Sequence, residues 1–218
     1  MDSHDSLYIM IWLYNQSKHQ WLLFFVAATL FFVWYQRTFL ISDILYYSTY
    51  GDQLSLETID LMIGNTKKYA WIGYISAPFI LIIRIIFTTL CLYTALFFKN
   101  VESKFSSCLN IAIKADVSFV FLGLFNIIYH LAVPVENLMD LAGNPLSLIY
   151  YLDAECLPKY LLYPIGLINL FEFLYWGLLI SLIKYKYKFS VSESFKFVLS
   201  SYGVGLLLLV SLFTLIIM

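Results

Sequence analysis

The stretch from Trp71 to Phe98, WIGYISAPFILIIRIIFTTLCLYTALFF, runs for 28 residues with a single charge, Arg84. A bilayer hydrocarbon core about 30 Å thick is crossed by about 20 helical residues at about 1.5 Å each. This stretch therefore reads as a transmembrane helix, and Pro78 in its first third predicts a tilt or kink there. Similar apolar runs extend from Tyr160 to Ile183, interrupted by Glu172, and from Phe197 to Ile217. Working outward, Ala115 to Val133 forms another span that ends before Pro134. The run from Trp21 to about residue 36 is bracketed by Trp21 and by Trp34, Tyr35 and Arg37, an aromatic-belt pattern. It is short for a bilayer and needs the following Thr38 to Tyr47 stretch, or local thinning, to cross. The fold class read here is all-α: a polytopic transmembrane bundle of about five spans, near 21–36, 71–98, 115–133, 160–183 and 197–217. One integral membrane domain covers residues 1–218, with Ser6 to Tyr14 as an N-terminal interfacial helix that sets Trp12 near the headgroups.

Composition agrees with this reading. The chain is 61% hydrophobic and 12% charged, against about 25% charged in ordinary globular domains. Its longest soluble candidate, Gln36 to Tyr69, is too short for a second core. A net charge of −1 gives no basic face for phosphates, so nucleic acid is not expected as a partner. Cys91, Cys108 and Cys156 have neither CxxC nor zinc spacing, and their odd number argues against a disulfide framework. The opening Met1-Asp2-Ser3-His4-Asp5 lacks the basic region of a cleavable signal, so the N-terminus is expected to be retained.

On a five-span model, Lys18, Lys99, Lys104, Lys114, Lys184, Lys186, Lys188 and Lys196 share the N-terminal side. Arg37, Lys67, Lys68 and Lys159 lie on the other. Eight basic residues against four predict a cytoplasmic N-terminus. A four-span model weakens that bias, and neither model explains Lys67 and Lys68.

Charges near a span centre cost at least about 2.5 to 3.5 kcal/mol on insertion scales, so each needs a reason. Asn169, Glu172 and Trp176 follow i, i+3, i+7 spacing on one face of the fourth span, and Asn126 and His130 share a face of the third at i, i+4. With Arg84, these residues predict an intramembrane polar cluster of Arg84, Asn126, His130, Asn169 and Glu172. In it Arg84 or His130 pairs with Glu172 and the asparagines bridge helices. Such a cluster serves either as helix glue or as a relay or substrate counter-charge. Lys104 to Lys114 reads as a basic amphipathic interfacial helix, with Lys114 and Asp116 at the start of the third span. The Lys184-Tyr185-Lys186-Tyr187-Lys188 turn reads as a headgroup anchor. Ser190 or Ser192 caps the last helix, with Glu193 as box partner of Ser190. Ser200, Ser201, Gly203 and Gly205 form a small-residue patch for close helix packing. The sequence carries no HExxH, GxSxG or Gly-rich nucleotide turn. Cys156 follows Glu155 without a nearby histidine. The expectation is a non-enzyme with no cofactor and no metal site.

Asn144-Pro145-Leu146-Ser147-Leu148, then Tyr163-Pro164-Ile165-Gly166-Leu167, then a lysine-bearing turn before a glycine-containing final span, resembles the C-terminal part of bacterial Yip1-like membrane proteins. The resemblance covers roughly Thr66 to the end and implies five helices with a cytoplasmic N-terminus and an externally placed C-terminus; the expected location is a bacterial inner membrane. Glu172, Arg84 and the Ser190 to Ser201 segment depart from it, and it assigns no functional residue. The leading functional expectation is a non-enzymatic membrane scaffold or adaptor, with the lipid bilayer and a protein partner or homo-oligomer as its contacts. Alternatives are an oligomeric pore or permeability effector, by analogy with accessory proteins of phage-defence loci of the CRISPR type, and a small transporter built on the polar cluster.

Overall fold

The computed structural model describes residues 14–138, 140–142, 144–152 and 157–217. The expected interfacial helix, Trp12 included, lies outside them except for Tyr14, as do Glu155 and Cys156. The described residues form helices and helical turns with one isolated antiparallel bridge, between Ser147 and Asn169.

Helix α1, Lys18–Tyr35, continues into a π-helical turn, Gln36–Leu40, and α2, Asp43–Tyr50, and α3, Leu56–Lys68, follow as a short hairpin. The long helix α4, Ala70–Phe98, runs through Pro78 in one piece. Helices α5, Phe105–Ala115, and α6, Val117–Ala132, are joined only at Asp116 and together form one 28-residue apolar rod. Then come α7, Lys159–Gly166, α8, Leu170–Tyr187, and α9, Val191–Val198. A second π-helical turn, Leu199–Gly203, leads into α10, Val204–Ile217.

Among the described residues, four helical runs are long and apolar enough to cross a membrane: Lys18–Leu40, Ala70–Phe98, Phe105–Ala132 and Val191–Ile217. The span expected over 160–183 is corrected. Asn169 is extended, at φ −141° and ψ 159°, so the segment divides into α7 and α8. The third span also begins ten residues earlier than its expected start at Ala115, at Phe105. The Lys104 to Lys114 stretch is therefore not an interfacial helix. Cys108, Ile111, Ala112, Ile113 and even Lys114 are buried. Lys114 is accommodated because its Nζ donates to the Gln16 carbonyl at 3.0 Å and lies 4.7 Å from the Trp21 ring centre.

Cross-contacts fix which helix ends lie together. Lys18 Nζ reaches Ser106 Oγ, and the Tyr14 and Tyr185 rings meet at 5.5 Å, at one end of the bundle. At the other end, the hairpin α2–α3 meets the loop after α6, where Ser48 Oγ donates to the Glu136 carbonyl and Leu138 N to Thr49 Oγ1. The described residues thus traverse the bundle five times, with the broken α7–α8 pair as the fourth traverse. Lys67, which charge counting left unexplained, bonds Asp43 at 2.7 Å and ties the hairpin together. In the same hairpin the Tyr47 hydroxyl donates to Asp60, and this bond, with the nearby negative charge, raises the phenol's pKa.

Turn chemistry explains the reversals. Asn100 adopts left-handed geometry at φ 54°, while Val101 N bonds the Leu96 carbonyl and Asn100 N that of Phe97, a Schellman close to α4. Lys188, at φ 57°, ends α8 in the same region. Ser190 and Glu193 form the expected capping box, with bonds of 3.2 and 2.8 Å.

Helix α8 lies at the centre. Its Tyr175, Leu179, Leu182 and Ile183 pack fully buried against Leu92 and Leu96 of α4, Cys108 and Ile111 of α5, and Phe197 and Val198 of α9. A smaller layer joins Phe25 of α1 to Leu81, Ile85, Ala112 and Ile113. The small residues act as expected: a Cβ added at Gly205 would lie 2.4 Å from Cys91 Sγ, and one at Gly203 2.8 Å from the Trp176 ring. Outward faces carry large apolar side chains such as Leu23, Phe79, Ile80, Leu207 and Ile216, each more than half exposed, as lipid-facing helices require. Gly205→Val should lower stability by about 1 to 3 kcal/mol through overpacking. Gly64→Ala, in a helix and facing open space, should raise it by roughly 0.5 to 1 kcal/mol. Thermal unfolding in detergent, followed by circular dichroism, measures both.

Candidate functional site: two polar clamps inside the bundle

Arg84 is the middle residue of α4, with fourteen helical residues on either side. Its guanidinium binds Asp116 through two parallel bonds, Nε to Oδ1 at 2.9 Å and Nη2 to Oδ2 at 2.8 Å. The Asp116 side chain is 2% exposed and that of Arg84 30%. One face of the guanidinium lies 3.7 Å from the centre of the Phe119 ring, a cation–π contact. The bidentate geometry suits arginine, whose planar fork matches a carboxylate. Asp116 is presented by the junction of α5 and α6. Its own N–H bonds back to Ala112 and Ile113, and its carbonyl accepts from Phe119 N.

The second clamp centres on Glu172. Asn169 caps α8, its Oδ1 accepting from Glu172 N at 2.9 Å, and its amide nitrogen donates to the Gly166 and Leu167 carbonyls. Glu172 thus sits in the first turn of α8, where a carboxylate complements the helix dipole. Its Oε1 accepts from Trp176 Nε1 at 3.0 Å and from the Tyr202 hydroxyl at 2.8 Å. Tyr202 comes from the π-helical turn, an inserted-residue distortion that re-aims a side chain. Beside it, the Tyr175 hydroxyl donates to Thr88 Oγ1 at 2.8 Å, and Tyr175 and Tyr202 meet edge to face at 5.3 Å.

The break before α8 is held from outside. Leu148 N bonds the Ile168 carbonyl and Leu170 N the Leu146 carbonyl, at 2.9 and 3.0 Å, while Ser147 Oγ donates to the Gly166 carbonyl. The Asn144 to Leu148 stretch is therefore a strap that satisfies the unwound backbone between α7 and α8. Non-helical backbone at membrane depth requires such partners.

The expected cluster is partly assembled. Arg84 and Glu172 line one cleft, yet they are not partners of one another: Arg84 is committed to Asp116. Asn169 joins two helices through its side chain, capping α8 at Glu172 N and donating to the Gly166 carbonyl at the end of α7. His130 packs edge-on against Tyr129 near the end of α6, away from Glu172. Asn126 leaves its buried Oδ1 without a hydrogen bond among the described residues, as does the Ser118 hydroxyl. Sequence reasoning missed Asp116, Tyr202 and Tyr175. Among the described residues no group of three or more His, Cys, Asp or Glu is placed to hold a metal ion.

This architecture defines an integral membrane protein, an all-α bundle with four candidate spanning helices among the described residues. Comparison with protein-family models, with curated proteins and with solved structures returns no match. Tyr202→Phe removes one of two donors to Glu172 and should cost about 0.6 to 1.7 kcal/mol, from the average to the maximum found for interhelical hydrogen bonds in a membrane protein. Glu172→Gln keeps a carbonyl acceptor for both donors and should stay closer to the parent. Unfolding in detergent by titrated dodecyl sulfate ranks the two.

Proposed function

We propose that this protein is a non-enzymatic membrane scaffold or adaptor, a rigid helical body that presents extramembrane segments to a protein partner or to further copies of itself. One observation carries the reading: the bundle interior is consumed by packing. Along α8 from Tyr175 to Ile183, about 12 Å of helix, Tyr175, Leu179, Leu182 and Ile183 are fully buried. They pack against Leu92 and Leu96 in one buried cluster. Near the midplane Arg84 is bound to Asp116, and Glu172 accepts from Trp176 and Tyr202, which supports helix glue over a relay through a single copy.

Two extramembrane features suit presentation. The α2–α3 hairpin keeps Ile44, Leu56 and Leu61 more than 60% exposed on a frame fixed by the Lys67 to Asp43 pair. At the opposite end, Lys186 and Lys188 stand over the Tyr14 and Tyr185 rings, holding the basic turn in a defined shape. A cytoplasmic N-terminus, a bacterial inner membrane and a Yip1-like fold belong to the same proposal, supported by the distribution of lysines and by the five traverses.

Native mass spectrometry of the protein extracted directly into nanodiscs tests this reading. A complex of fixed stoichiometry, with a second protein or with itself, is the expected outcome. It should weaken when Lys184, Lys186 and Lys188 are replaced together by glutamine or when exposed hairpin leucines are replaced by serine. A lone monomer, with nothing bound under mild extraction, contradicts it.

A further inference from the structure

We propose that the cleft between α4, α6, α8 and α10 binds a long-chain carboxylic acid that enters sideways from the bilayer, its carboxyl group held between Arg84 and Glu172.

The cleft has a volume of about 340 Å³, at the lower end of the usual range of ligand pockets, about 300 to 1,000 Å³. Its walls are apolar, with Ile83 and Phe87 on one side and Leu206 and Leu209 on the other. Its floor is polar, made of Arg84, Glu172 and Tyr202. Its rim belongs to the lipid-facing surface: Ile80 and Ile83 are 60% and 51% exposed. A molecule dissolved in the hydrocarbon therefore reaches the polar floor without crossing water. A second cleft of about 260 Å³ shares Leu167, Glu172 and Leu206 with the first and continues along Leu207 and Val210. That gives an extended apolar track leading away from Glu172, the shape of one flexible chain.

The floor specifies the head. Asp116 takes Nε and Nη2 of Arg84, Phe119 covers one face, and the exposed part of the guanidinium lines the cleft as a donor. Both donors to Glu172 converge on Oε1, so Oε2 is the oxygen available to a ligand. A carboxylic acid matches both groups at once: its carbonyl accepts from Arg84 and its hydroxyl donates to Glu172 Oε2. No covalent bond changes in this step.

Depth favours this head over a phospholipid. Arg84 lies about 21 Å from either end of α4. A phosphodiester carries its charge to that depth, whereas a carboxylic acid sheds its charge by taking up a proton, as burial in a low dielectric favours. The volume of the cleft also fits one chain better than two.

Trp176, bonded to Glu172 and lining the second cleft, is the reporter. The protein is placed in phosphatidylcholine nanodiscs and titrated with a dibrominated stearic acid, whose bromines quench nearby tryptophan. Saturable quenching is expected, and its saturable part should vanish in Trp176→Phe. The methyl ester, which lacks the donated proton, should bind at least about tenfold more weakly, the loss of its hydrogen bond to Glu172. Narrowing the cleft with Leu209→Phe, or with Ile83→Phe at its exposed rim should the first not fold, should weaken binding similarly. Quenching that rises linearly without saturating, equal binding of the ester, or equal quenching by a dibrominated phosphatidylcholine would each overturn the proposal.

Discussion

A charge at the middle of a membrane helix needs a partner, and the Arg84 to Asp116 pair sets the arrangement of this bundle. The fork of two bonds, at 2.9 and 2.8 Å, fixes the distance and rotation of α4 against the α5–α6 rod. That in turn fixes Phe119 beneath the guanidinium and Tyr175 beside Thr88. With those two helices locked, α8 has one apolar slot to fill. Its inward face does so with side chains that water and lipid do not reach. Between helices lipid provides no hydrophobic drive, so polar pairs and close packing carry the specificity.

Glu172 is the second constraint, and the chain departs from regular helix twice to satisfy it. Asn169 is extended, which starts α8 at the level where Glu172 can face Trp176 and Tyr202. The π-helical turn Leu199–Gly203 turns the Tyr202 hydroxyl inward and brings Gly203 against the Trp176 ring. The strap from Leu146 to Leu148 then saturates the backbone that the break exposes. These irregularities meet on one carboxyl group, which is why the clefts of the bundle also meet there.

Much of this was legible in the sequence. Long apolar runs marked the spans, because bilayer thickness sets their length. Ser190 and Glu193 announced their capping box by spacing alone, and the Gly203 and Gly205 patch announced close packing. The partner of Arg84 was not legible by the same means. Lys104, Asn110 and Lys114 made α5 look like a surface helix, which moved Asp116 to a membrane boundary. The structure buries Lys114 by giving its ammonium the Gln16 carbonyl and the Trp21 ring, contacts between residues almost a hundred positions apart. A signal did exist: Arg84 lies fourteen residues before the end of α4 and Asp116 eleven after the start of α5. Two antiparallel helices joined by a short turn bring such positions to similar depth. Tyr202 had no comparable signal, since an inserted residue in a helix changes which side chains face inward without changing composition.

The most direct test of this account is a double-mutant cycle on Arg84 and Asp116, with unfolding measured in bicelles. Arg84→Gln strands the buried Asp116 carboxylate and should destabilise by about 3 to 5 kcal/mol, and Asp116→Asn, which leaves the partly exposed Arg84 unpaired, should destabilise by less. The double variant should lose much less than their sum. Strict additivity of the two losses would show that the pair does not organise the bundle.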